Sequence, residues 1–197
     1  MTKSRVSTGL FALVACCGIA AAQNGGNNQG QKPSQPQMDA QAAAQWEAWE
    51  KTNQVSEHHA RLATDMVGRW KTVTTFWFAP GSEGMKSEGT SNFAPVLDGR
   101  FVMSEFSGEM MGMPFKGIGY YGFNTMSQKF ENIWMDSASN LMMMTTGTRG
   151  ADGAITWTGA YPDPMTGQVK QYKSVTRFPE KGKMVYEMYD TTTDGRE

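Results

Sequence analysis

Apolar positions recur every three to four residues between positions 38 and 67, and every second residue from 68 onward. The first period belongs to helices and the second to strands. Ala40, Ala42, Ala43, Ala44, Trp46, Glu47, Ala48, Trp49 and Glu50 are mostly good helix formers. Trp46 and Trp49 are three apart and share a face, which predicts that this face packs on the domain or on a partner. Thr52 and Asn53 weaken the pattern. Ser56 can cap a second helix running to Val67, with Leu62 and Met66 on one face and Gly68 at the C′ position.

After Gly68 the segments 70–78, 85–93, 101–106, 115–123, 129–136, 141–147, 155–161, 168–178 and 184–189 read as strands. They are rich in β-branched and aromatic residues and are separated by short Gly-, Asn- and Asp-bearing turns. No helical pattern interrupts them, and no long internal repeat suggests a propeller. The predicted fold is all-β: an antiparallel up-and-down barrel of about nine to ten strands, preceded by a helical segment.

The chain's opening changes the picture of where it works. Lys3 and Arg5 precede an apolar run from Val6 to Ala22, and Ala20-Ala21-Ala22 forms an A-x-A cleavage pattern. That predicts a signal peptide over 1–22 and a mature protein, periplasmic or secreted, starting at Gln23. Leu13-Val14-Ala15-Cys16 also resembles a lipobox, which would instead leave a lipid anchor at Cys16. The apolar run continues past the cysteine, which favours simple secretion. Residues 23–37 are Gln, Asn, Gly, Pro and Ser with one lysine and no aliphatic residue, and read as a disordered linker. The expected organisation is therefore leader 1–22, linker 23–37, helical segment 38–67 and barrel 68–197, with no transmembrane segment in the mature chain.

Gly68-Arg69-Trp70 after a short helix resembles the Gly-x-Trp opening of the first strand in lipocalins and other calycins. The resemblance implies a tryptophan that plugs one end of a barrel. The chain also resembles a bacterial family known as a domain of unknown function, family fifteen seventy-nine. The residues that carry this are Glu57-His58 with Leu62, Val67-Gly68-Arg69-Trp70 and Leu97-Asp98-Gly99-Arg100-Phe101-Val102. They continue in Pro114-Phe115-Lys116-Gly117, Gly119-Tyr120-Tyr121-Gly122, Trp134-Met135-Asp136-Ser137 and Asp163-Pro164-Met165-Thr166-Gly167. The resemblance spans 57–197 and brings no reaction with it. It implies one further strand beyond the turn at 194–197, and in calycins a basic residue from the last strand covers the tryptophan.

Candidate chemistry is sparse. The two cysteines, Cys16 and Cys17, both lie in the leader, so a mature chain has no disulfide, thiolate site or cysteine nucleophile. The net charge of −1 offers no basic excess for nucleic acid. The two histidines, His58 and His59, are adjacent and diverge by about 100° on a helix, which disfavours a shared metal. They are expected to cap the barrel end or face water. No Gly-x-Ser-x-Gly, phosphate loop or cofactor motif appears. Sixteen methionines are many for this length. Met110, Met111 and Met113 in a predicted hairpin are a candidate Cu(I) thioether site, whereas Met142-Met143-Met144 on a strand cannot converge on one face. Adaptable packing is the plainer reading of both.

The carboxylates to watch are Glu105 and Asp136. Asp136 follows Trp134 by two and shares its face. It is expected to pair with Arg100 or Arg177; as an unpaired acid it would support an enzymatic reading. The reading favoured over catalysis is a binding module for a small apolar or amphipathic molecule, the role of hollow barrels in general. Its expected lining is Trp70, Phe106, Tyr120, Trp134, Trp157 and Tyr172, with Asp136 or Arg100 orienting a polar head.

Overall fold

A computed structural model of the chain describes residues 40–190 apart from 78, 80, 164 and 165. The leader read at 1–22, the Cys16 motif, the linker read at 23–37 and the turn at 194–197 lie outside the described residues.

Among the described residues two helices come first: α1 (Ala40–Thr52) and α2 (Glu57–Met66). The Ala-rich sequence makes α1 a good helix, yet it buries no residue. Here the structure departs from the expected packing of the tryptophan face. Trp46 and Trp49 are 49% and 56% exposed. Their spacing of three lets them cover each other instead, with ring centroids 5.0 Å apart, and the Trp46 indole donates to Glu50 Oε1 at 2.7 Å. The end of α1 is tied to the barrel rim, where Arg100 donates to the Asn53 carbonyl and Thr125 Oγ1 donates to the Thr52 carbonyl at 2.6 Å.

In α2 the face of His59, Leu62 and Met66 is buried. Its first turn uses a histidine where a capping box has Glu or Gln: the Ser56 N–H donates to His59 Nδ1 at 3.0 Å. The helix stops at Val67, and Gly68 at φ 143 admits a chain reversal that a side chain would resist.

Among the described residues nine antiparallel strands follow: β1 (Gly68–Phe76), β2 (Met85–Val96), β3 (Phe101–Met110), β4 (Met113–Asn124), β5 (Lys129–Asp136), β6 (Met143–Arg149), β7 (Ile155–Pro162), β8 (Val169–Glu180) and β9 (Lys183–Asp190). They pair in chain order as one sheet, curled into a half-barrel. Among the described residues β1 and β9 are its edges. The Met111-Gly112 turn, with φ of 53° and 75°, is the tight two-residue kind that matches strand twist.

The meander sorts its connections into two ends. The turns at 97–100, 125–128, 150–154 and 181–182 lie at the end covered by α2; the loops at 77–84, 111–112, 137–142 and 163–168 lie at the other. The apolar core fills the α2 end. Leu62 and Met66 meet Phe93, Val102, Phe123, Phe130, Ile155 and Trp157. Trp70 packs against this core and its indole donates to the Met66 carbonyl at 2.8 Å, satisfying one of the acceptors a helix C-terminus leaves free.

Arg149 of β6 is the cation that closes this end. Its guanidinium lies over Phe130 and Phe178 and pairs with Asp65 of α2 at 3.0 Å. Arg149 thus comes from a strand in mid-sheet and covers two phenyl rings.

Candidate functional site

On the concave face, aromatics lie over glycines of the same or the next strand. The Phe106 ring tip reaches Gly89 and Gly108: a Cβ added at either would stand 2.7 or 2.8 Å from its Cζ. One added at Gly117 would stand 2.1 Å from Trp134 Cζ2, and one at Gly147 2.7 Å from Trp157 Cε3. Tyr172 meets Gly159 in the same way, with Cε1 at 2.9 Å. Each glycine leaves a floor on which a large ring can lie flat. Of the predicted lining residues, Phe106, Trp134, Trp157 and Tyr172 therefore all face inward, and Trp70 faces inward at the α2 end.

Between these rings runs a belt of hydroxyls. Ser91, Ser104, Thr145, Ser174 and Thr176 are all buried on inward positions of four strands. Thr176 Oγ1 accepts from the Trp157 indole at 3.0 Å. Thr145 Oγ1 donates to Asn132 Oδ1 at 3.4 Å, and the Asn132 amide donates to the Tyr120 carbonyl at 3.1 Å. Tyr121 hydrogen-bonds Ser104, and Tyr186 hydrogen-bonds Ser174.

Burial is the first cause that keeps these phenols protonated. It raises Tyr121 and Tyr186 above the ordinary tyrosine range, and together with the neighbouring Tyr186 it pushes Tyr172 up to about 12. The Tyr186 ring, on edge strand β9, is 54% exposed, while its hydroxyl turns back to Ser174 inside the concavity.

Charges on this face are already matched. Asp136 does not pair with Arg100 or Arg177. Its Oδ2 accepts from the Trp134 indole at 3.0 Å, and its Oδ1 accepts the backbone N–H groups of Ala138 and Ser139 at 3.0 Å each. It is held as a turn-forming acceptor. Arg100 sits in the turn at the α2 end and reaches Asn53, whereas Arg177 pairs with Glu187 across β8 and β9. Lys170 lies 3.3 Å from Asp163.

Tyr120, Arg100 and Glu105 stand apart from this group. Tyr120 alternates with buried Gly119 and inward Tyr121, so it faces the convex side. Arg100 and Asp136 occupy opposite ends of the sheet, so they do not share one polar head site. Glu105 is exposed on the convex side, opposite Ile118.

Both histidines pack at the α2 end. His58 stacks on Phe123 at 4.1 Å, and His59 is buried. Met110 and Met113 face each other across the hairpin, with Met111 in its turn. Among the described residues no three His, Asp or Glu side chains converge as for a metal ion, and no helix is long and apolar enough to cross a membrane. A shallow depression of about 100 Å³ lies on the convex face between Lys129, Thr146, Thr148, Thr156 and Thr158.

Sequence reasoning passed over the hydroxyl belt. Its signal was present: Ser104 stands between Val102 and Phe106 at period two, and Ser174 between Tyr172 and Thr176.

A family model described as a protein of unknown function, DUF1579, matches residues 54–197. No curated protein matches the chain, and no solved structure does.

Proposed function

The chain belongs to the DUF1579 family, and from that premise we propose that its half-barrel is an exported binding module for a small apolar or amphipathic molecule. One observation carries the reading. The inward positions of β2, β3, β6 and β8 hold Ser91, Ser104, Thr145 and Ser174, where a solid core would hold aliphatic side chains. A row of hydroxyls flanked by Phe106, Trp134 and Tyr172 offers polar contacts beside apolar walls, which is the chemistry of a small-molecule site. The leader read at 1–22 supports a place outside the cytoplasm.

The mature chain should bind the uncharged apolar dye N-phenylnaphthylamine saturably, with a rise and blue shift in dye emission. Trp134→Ala should weaken that binding about tenfold, the worth of one buried aromatic contact. Absence of saturable binding would overturn the reading.

A further inference from the structure

We propose that the ligand's polar head is uncharged and is taken by the hydroxyls of Thr72 and Ser87 on the β1–β2 wall, behind the ring of Phe106. This rests on the binding function proposed above and names the class of ligand it serves.

Thr72 Oγ1 and Ser87 Oγ are both shut off from solvent and lack a hydrogen-bond partner among the described residues. Buried hydroxyls of native proteins are nearly always paired, so two orphans on adjacent strands call for a partner. Register sets them side by side. Thr72 stands opposite Gly89 and Thr74 opposite Ser87, so the two hydroxyls flank Gly89 on the inward face. The Phe106 ring tip lies over Gly89 and Gly108, and Phe115 lies edge-on to it at 5.8 Å. Gly89 and Gly108 present no side chain to hold the ring. For a head group to reach both hydroxyls the Phe106 ring would swing aside, and it would then form the apolar wall for the ligand's body.

The surroundings select against charge. Asp136 is held by an indole and two backbone amides, Lys170 is beside Asp163, and Arg149 is committed to Asp65 at the other end. The other polar groups on this face, among the described side chains, are serine, threonine and tyrosine hydroxyls and the Asn132 amide, all uncharged, and the tyrosines stay protonated. A carboxylate or ammonium brought here would shed its hydration and, among the described side chains, meet no counter-charge that is not already engaged. An alcohol, ester or amide head would both donate to and accept from the hydroxyl pair.

Dodecanol and dodecanoate share an alkyl chain and differ in head charge. Each should be titrated at neutral pH into the mature protein and into Thr72→Val, Ser87→Ala and the double variant, by calorimetry and tryptophan emission. Dodecanol should bind at least about tenfold more tightly than dodecanoate. The double variant should lose about tenfold toward dodecanol, as expected for two neutral hydrogen bonds, and change little toward dodecanoate. Its urea midpoint should not fall, because the variant removes orphaned hydroxyls rather than paired ones. Equal binding of the two amphiphiles, tighter dodecanoate, or a double variant that binds dodecanol like the parent overturns the assignment and leaves the binding function standing. Failure of both amphiphiles to bind removes both.

Discussion

Trp134 lies flat across Gly117, so close that a Cβ on the glycine would stand 2.1 Å from the ring's Cζ2. The ring is also pinned by its indole bond to Asp136, so it cannot slide aside without losing that bond. Gly117→Ala should therefore cost about 1–3 kcal/mol, the usual penalty of overpacking. In the Trp134→Leu background the same change should cost much less, since the clash partner is gone. Urea unfolding of the four proteins measures both. Additive losses would mean that the two residues do not meet.

This pairing shows what the sequence could and could not disclose. Period-two alternation and turn residues are local properties, and they placed all nine strands to within a few residues. The side each residue faces is also local, yet Tyr120 and Tyr121 are equally plausible inward residues until their neighbours are considered. Gly117, Gly119, Tyr121 and Phe123 share one phase, which fixes Tyr120 outward. That phase was readable.

The role of Arg149 was not. Its partners, Asp65, Phe130 and Phe178, come from α2, β5 and β8, and only the curled sheet with α2 packed on it brings them together. Asp136 is the opposite case: its partners, the Trp134 indole and the N–H groups of Ala138 and Ser139, all lie within three residues, and an aspartate that folds a turn around its own side chain is a local signal.

Trp70 joins the helix to the sheet, with its ring against the core and its indole on the Met66 carbonyl. Trp70→Phe keeps most of the ring and removes the bond, so it should cost about 1 kcal/mol. Trp70→Ala removes both and should cost about 3–5 kcal/mol, as for large core truncations. A loss below about 1 kcal/mol for the alanine variant in urea titration would show that the tryptophan does not brace α2.

Asp65 and Arg149 should respond unequally to mutation. Asp65 is nearly buried and faces both Arg149 and Arg61, each at 3.0 Å. Asp65→Asn leaves the Arg149 cation between Phe130 and Phe178 without its counter-charge, a change that should cost about 3–5 kcal/mol. Arg149→Met still leaves Asp65 beside Arg61. It also removes Nε and Nη2, two buried donors without a partner among the described residues, and puts a flexible thioether between two phenyl rings. It should be clearly the milder change. Equal losses in chemical denaturation would contradict the assignment of Arg149 as the buried charge that needs Asp65.

Acid should loosen the end covered by α2 through His59. Burial is the main cause that holds this imidazole below its ordinary value of 6.5, and the nearby Arg100 cation acts in the same direction. Its Nδ1 accepts the Ser56 N–H at 3.0 Å, which fixes the neutral ring with the proton on Nε2, facing the Phe123 carbonyl. Protonation would put a donor where an acceptor is required. A base with a lowered folded-state pKa binds fewer protons folded than unfolded between that value and 6.5, so stability rises with pH across this window. The contribution is complete above about 6.5, falls as the pH drops below it, and levels off once the folded-state value is passed. Urea midpoints between pH 7.5 and 5 should therefore fall for the native chain and fall less for His59→Gln, which has no proton to gain. A pH slope equal in the two proteins would exclude His59 as its source.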